Sequence, residues 1–227
     1  MKVIRIRVWG DRALFSQPHF RTDPISYPCP TPSAIKGLLK SIFGKPEFEW
    51  EILTITILKP VVWHTQKDRG VLDSKNGAGL PGTGLFSTTL LCNVEYIVEA
   101  RVVVNPLRTT ESSHDYTQQA LRRMRAGQQF RQPYFGHREF FAFYELLEDD
   151  APIPTPAPIN LDVGPMLFDL RPINHERDLW MPIFFPATIQ DGVLVVPLEL
   201  YDRERPYLHR AKARGRKTPR RSHPQGV

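Results

Sequence analysis

Polar and apolar residues alternate from the first positions of the chain. Lys2, Arg5 and Arg7 interleave with Val3, Ile4, Ile6 and Val8, a period of two that predicts a strand with one face on a core and a basic face outward. The period then changes. Thr31-Pro32-Ser33 precedes Ala34, Ile35, Leu38, Leu39, Ile42 and Phe43, so a capping hydroxyl, a proline at the first turn and an apolar stripe at helical spacing predict a helix of about twelve residues. Lys36 and Lys40 lie on its polar side and Lys45-Pro46 ends it. Glu51 to Lys59 is apolar and β-branched on both faces, as in a central strand covered on two sides. Gln66 to Ser87 holds Gly70, Gly77, Gly79, Gly82 and Gly84 with Lys67, Arg69 and Lys75, which predicts a mobile basic loop. Its glycines do not fall in the register of a phosphate-cradling loop between strand and helix.

Asn93 to Asn105 returns to strand spacing, Ser113 to Arg125 predicts a second helix, and Phe135 to Leu147 a further strand. The order strand, helix, strand, strand, helix, strand is that of a ferredoxin-like α+β domain, the topology of RNA-recognition modules, over residues 1–148. Asp149 to Pro158 packs 4 prolines into 10 residues and reads as a linker. Residues 159–202 predict a small antiparallel sheet, Leu161 to Leu170, Trp180 to Ile189 and Val193 to Leu200, with Asp191-Gly192 as a hairpin turn. From 203 to 227, Arg203, Arg205, Arg210, Lys212, Arg214, Arg216, Lys217, Arg220 and Arg221 leave no apolar pattern, and a disordered basic tail is expected.

Composition narrows the function classes. With 41% apolar and 11% aromatic residues among 227, the chain can bury a substantial core. The two cysteines, Cys29 and Cys92, lack the paired spacing of a zinc site or disulfide framework. The N-terminal alternation is not a signal peptide, and no apolar run is long enough to span a membrane, so a reducing cytoplasm is expected. A net charge of +6 and a pI near 9.4 favour a polyanionic partner. Arg122, Arg123 and Arg125 crowd the last turn of the second helix, where cations also answer the helix dipole, but Arg131 and Arg138 carry the cluster beyond what a dipole needs. Single-stranded RNA is read by basic and aromatic side chains on an open sheet. The candidate RNA contacts are therefore Arg5, Arg7, Lys36, Lys40, Arg122, Arg123, Arg125, Arg131 and Arg138, whereas Trp9 and Phe15 fit a core better than a stacking platform.

Several blocks resemble a known family. Val8-Trp9-Gly10-Asp11-Arg12-Ala13-Leu14-Phe15, Ser26-Tyr27, Pro30-Thr31-Pro32-Ser33-Ala34, Lys45-Pro46, Ala126-Gly127-Gln128 and Gln132-Pro133-Tyr134-Phe135-Gly136-His137-Arg138-Glu139-Phe140 are similar, in order, to the signature blocks of the fifth CRISPR-associated protein family, in its subtype I-C branch. The resemblance implies a ferredoxin-like (RRM/RAMP-type) domain that grips the repeat-derived 5′ handle of a guide RNA (crRNA) in a type I surveillance complex (Cascade). It implies as partners the backbone and large subunits, with Gly70, Gly77, Gly79, Gly82 and Gly84 in a thumb against the backbone subunit, and target DNA reached through the complex. No cofactor and no metal is implied.

Subtype I-C members also resemble metal-independent endoribonucleases that cut the guide precursor with a tyrosine near the end of the first helix and a Lys-His pair opening the second. Such chemistry needs a base for the 2′-hydroxyl, a cation for the phosphorane and an acid for the leaving oxygen. Here the tyrosine position falls on Phe43 or Gly44, and no alignment of the second helix supplies the lysine. His114 has a side chain suited to base chemistry, and Tyr116 stands two residues on; these are the candidate catalytic residues. The expectation is an RNA-binding scaffold, with an active precursor endoribonuclease as the alternative and a generic basic RNA-binding module as a third reading.

Overall fold

The structure, a computed structural model, describes residues 2–20, 23–72, 82–174 and 179–213. It is an α+β fold. Strand β1 (Val3–Ala13) leads to helix α1 (Pro32–Ile42), then β2 (Phe48–Ile57), β3 (Val62–Leu72) and β4 (Gly82–Val104). Helix α2 (Ser113–Arg125) and β5 (Phe143–Leu147) follow, then β6 (Leu161–Asn174), β7 (Leu179–Gln190), β8 (Val193–Val195) and α3 (Leu198–Ala213). Sheet order is β5-β1-β4-β2-β8-β7-β6, with β3 paired to β4. The first four of these strands give the ferredoxin-like arrangement that the element order predicts.

Local chemistry sets the helices where the pattern places them. The Thr31 hydroxyl accepts the Ala34 N–H at 3.1 Å and Pro32 stands in the first turn of α1. Ser112 and Asp115 form a reciprocal capping box on α2. Ile35, Leu38, Leu39 and Ile42 of α1 and Ala120, Leu121 and Met124 of α2 join Ile4, Ile6, Val8, Ile52, Ile55, Val98 and Ala100 of the sheet in one core.

Four expectations are corrected. The predicted loop at 66–87 is largely a β-hairpin: Val62 to Leu72 pairs with Gly82 to Cys92, Gly70 opposite Gly84. Its glycine content hid the β-forming residues Thr65, Val71, Leu85, Phe86, Thr88 and Thr89; Gly77 and Gly79 lie outside the described residues. β4 therefore continues from this hairpin into the core sheet through Asn93, which adopts φ 52°, a conformation asparagine tolerates better than most side chains. The strand expected at Phe135 to Leu147 shortens to Phe143–Leu147 because Gly136, at φ +80°, turns the chain against Leu14; a Cβ there would lie 1.8 Å from the Leu14 carbonyl oxygen.

The C-terminal strands do not stand apart. β8 pairs with β2, so β6 to β8 continue the same sheet, and the proline segment seats against it through the Ala157 N–H to the Ile57 carbonyl at 2.8 Å. Asp191 and Gly192 make the expected hairpin turn, both at positive φ. The basic tail is helical from Leu198 to Ala213. Tyr201 packs on Phe168 with ring centroids 4.7 Å apart and its hydroxyl accepts the Ile52 N–H at 2.8 Å. Arg205 pairs with Glu51, and Glu204 with Arg171. Charged residues with no visible pattern thus fold because partners of opposite charge on distant strands, Glu51 for Arg205 and Arg171 for Glu204, neutralise them. Residues 214–227 lie outside the described set.

Candidate nucleic-acid interface

Register decides which charges share a face, since side chains directly opposite on an antiparallel ladder point the same way. Arg5 stands opposite Glu99, Trp9 opposite Glu95, and Arg7 opposite Glu145 of β5. The face away from the core thus carries acids beside its arginines. Arg7 bonds Glu95 at 2.5 Å, Lys59 reaches the other oxygen of Glu95 at 3.1 Å, and Arg5 lies 3.9 Å from Glu99. The hydrogen bonds from Arg7 and Lys59 outweigh the cost of burial and hold the Glu95 carboxyl below its ordinary pKa. Trp9 is on this outer face, not in the core, under the Arg7 guanidinium at 5.5 Å and stacked on Phe143; Phe15 is buried as expected.

Helix α1 divides its two lysines. The Lys36 side chain is only 7% exposed and bonds Asp169 at 2.5 Å and Glu49 at 3.2 Å, so its candidacy as an RNA contact is withdrawn: its charge is spent on joining α1 to β2 and β6. Burial would lower its pKa, but the two carboxylates outweigh burial and raise it. Lys40 also reaches Glu49, at 3.1 Å, with 39% of its side chain exposed.

Past Lys40 the helix ends in a cleft of about 380 Å³ lined by Gly37, Lys40, Ser41, Gly44, Lys45, Pro46, Phe130, Arg131 and Tyr134. The far wall is bound to the helix end by the Phe130 and Arg131 N–H groups, both donating to the Ser41 carbonyl at 2.9 Å. Three cations, Lys40, Lys45 and Arg131, converge on it. The Arg131 guanidinium lies 5.2 Å from the ring of Phe130, which is 70% exposed. Lys45 lies over the Tyr116 and Phe43 rings and donates to Gln119 at 3.0 Å, so α2 packs beside the cleft. Cations beside an exposed aromatic ring can neutralise a phosphate and stack a base.

The remaining candidates scatter. Arg122 and Arg138 are exposed. Arg123 is half-buried with its guanidinium 5.8 Å from the Phe43 ring. Arg125 is held by Glu148 through two hydrogen bonds, at 2.7 and 2.8 Å. His114 is exposed at the start of α2 and does not line the cleft. Tyr116 is 3% exposed, its ring against Phe48 and its hydroxyl 3.3 Å from the Thr109 hydroxyl. The Thr109 contact favours the phenolate, but burial and the carboxylates of Glu111 and Glu47 prevail and raise its pKa. A buried phenol committed to Thr109 is not available to a substrate, which corrects its candidacy. Among the described residues, no group of three His, Cys, Asp or Glu is placed to hold a metal, and no helix is long and apolar enough to cross a membrane. Sequence reasoning missed Lys45, Phe130 and Tyr134 as site residues. The proline after Lys45 and the Gln132-Pro133-Tyr134 block were visible, but nothing in their spacing of about 85 residues along the chain announces a shared cleft.

Residues 3–197 match the profile of the family described as CRISPR-associated protein (Cas_Cas5). A CRISPR pre-crRNA endoribonuclease Cas5d of Thermus thermophilus is 35% identical over 224 residues, covering 88% of this chain and 94% of the relative. One from Mannheimia succiniciproducens is 32% identical over 216 residues, covering 86% and 94%. In fold, a crystal structure of a CRISPR-associated protein superposes with a TM-score of 0.65 at 19% identity, covering 86% of this chain and 92% of that one. A functionally uncharacterized protein of Streptococcus mutans gives 0.63 at 20% identity, with the same coverage.

Proposed function

The chain belongs to the Cas5 family of CRISPR-associated proteins, and from that premise we propose that it holds the 5′ handle of a guide RNA as a subunit of a type I surveillance complex. The observation that carries this reading is the cleft at the end of α1, where Lys40, Lys45 and Arg131 converge beside the exposed ring of Phe130. Such a site neutralises a phosphate and offers a face to an unstacked base without reading its edge. The β3–β4 hairpin supports contact with a neighbouring subunit: Trp63 and Leu85 are 46% and 64% exposed on one face and Val62 is 50% exposed on the other, apolar residues that a partner would cover. A second reading, metal-independent cleavage of the guide precursor, is favoured by the activity for which both curated relatives are named.

The test is a salt titration of binding between the full chain and its repeat RNA. K45A/R131A should reduce the log-log slope by about 0.7 for each lost contact on single-stranded RNA. An unchanged slope in a folded double variant would remove the cleft from the interface, and wild-type protein that fails to prefer the repeat sequence would favour a generic RNA-binding module.

A further inference from the structure

The cleft contains one group that neither phosphate neutralisation nor base stacking explains, the hydroxyl of Tyr134. Its backbone is clamped from both sides. The Leu14 N–H donates to the Phe135 carbonyl at 3.1 Å, the Phe135 N–H to the Phe140 carbonyl at 2.8 Å and the Ala142 N–H to the Pro133 carbonyl at 2.9 Å. Pro133 and Phe135 are buried on either side, while Tyr134 is 37% exposed and lines the cleft. Tyr27, Tyr116, Tyr144 and Tyr201 each commit the hydroxyl to a hydrogen bond within the fold, and Tyr96 is shut into the core at 2% exposure. Among the described residues the Tyr134 hydroxyl has no such partner. A phenol on a firmly held backbone, uncommitted within the fold and lining the same cleft as Lys40, Lys45 and Arg131, is placed to meet a ligand.

The opposite wall explains why a proton donor would stand here. Phe43 is buried and stacked on Phe48 at 5.2 Å. At Gly44 a Cβ would lie 2.8 Å from the Lys40 carbonyl oxygen, so the end of α1 offers the cleft no hydroxyl beyond the serine whose Oγ donates to Leu38.

We propose that Tyr134 is the general acid of guide-precursor cleavage in this cleft, an inference that rests on the nuclease reading above. The RNA 2′-oxygen attacks the adjacent phosphorus and the bond from phosphorus to the 5′-oxygen breaks. Tyr134 gives its proton to that departing oxygen. The 2′-hydroxyl proton passes to water, and water restores the proton to the phenolate. Lys40, Lys45 and Arg131 balance the charge that builds on the phosphorane. The products are a 2′,3′-cyclic phosphate and a 5′-hydroxyl, with no metal required.

The deciding experiment compares the full-length wild-type chain with Y134F, in EDTA, on the repeat RNA and on the same RNA carrying a bridging 5′-sulfur at the cleaved bond. A thiolate leaves without a proton, so loss of an acid does not slow it. Y134F should cut the all-oxygen RNA about 10²- to 10⁴-fold more slowly, bind it with an affinity within about twofold of wild type, and cut the sulfur substrate at the wild-type rate. An equal defect on both substrates, or none on either, would overturn the acid role. Wild-type protein that binds the repeat tightly but leaves it uncut would also overturn it while sparing the RNA-binding reading. Failure to bind would strike the binding reading itself and this inference with it.

Discussion

Lys36 and Lys40 stand one turn apart on α1 and both reach the Glu49 carboxylate, at 3.2 and 3.1 Å, but their surroundings differ in two respects. Lys36 has a second acid, Asp169, at 2.5 Å and is shut away from water. Lys40 shares its acid, stays two-fifths exposed and borders the cleft with Lys45 and Arg131. The number of carboxylates within reach, rather than the residue type or helix face, separates a cation that holds the fold from one left for a ligand. The same rule divides the arginines: Arg7 on the sheet has two carboxylates within reach, Glu95 and Glu145, whereas Arg131 has the Phe130 ring beside it.

The comparison breaks most visibly at Lys36. K36M leaves the buried Glu49 and the partly buried Asp169 with less compensating charge, and breaking a buried pair costs about 3–5 kcal/mol. A denaturant titration should show that loss, while the salt slope of RNA binding by the folded variant stays unchanged; a reduced slope would return Lys36 to the interface. The linkage has a sign. Because the folded pKa of Lys36 is raised, its contribution is complete below the unfolded lysine pKa of about 10.4 and is lost as pH rises through the folded value. The wild-type advantage over K36M should therefore shrink in strongly alkaline buffer.

A smaller loss is expected where α3 meets β2. Y201F removes the hydroxyl that accepts the buried Ile52 N–H, and a buried donor left unpaired costs about 1–3 kcal/mol. Equilibrium unfolding should report it. A variant as stable as wild type would mean that α3 is held by its ion pairs, Arg205 to Glu51 and Arg171 to Glu204, rather than by Tyr201.

The smallest effect sharpens the comparison within α2. Arg122 is exposed while Arg125 is held by Glu148. If Arg122 meets phosphate, R122A should lower the salt slope of repeat-RNA binding by about 0.7, and R125A should leave it within error. Equal effects from both variants would show that RNA outcompetes Glu148 for Arg125.

The alternation at Val3 to Val8, the capped stripe from Thr31 to Phe43, the second helix and the Asp191-Gly192 turn were legible in the chain because each depends on residues within one or two turns of one another. They determined the ferredoxin-like order and the basic character. The β3–β4 hairpin was hidden because its glycines mask a pairing that only the two strands together reveal. The helix from Leu198 was hidden because the acid that ties Arg205 to the sheet, Glu51, lies 154 residues away. For the same reason the sequence could name Lys36, Arg131 and Tyr116 as equals. Only the tertiary structure decided that Lys36 and Tyr116 face inward, and that Arg131 meets Lys45 and Tyr134 across one cleft, since burial and long-range pairing belong to the assembled chain and leave no trace in local spacing.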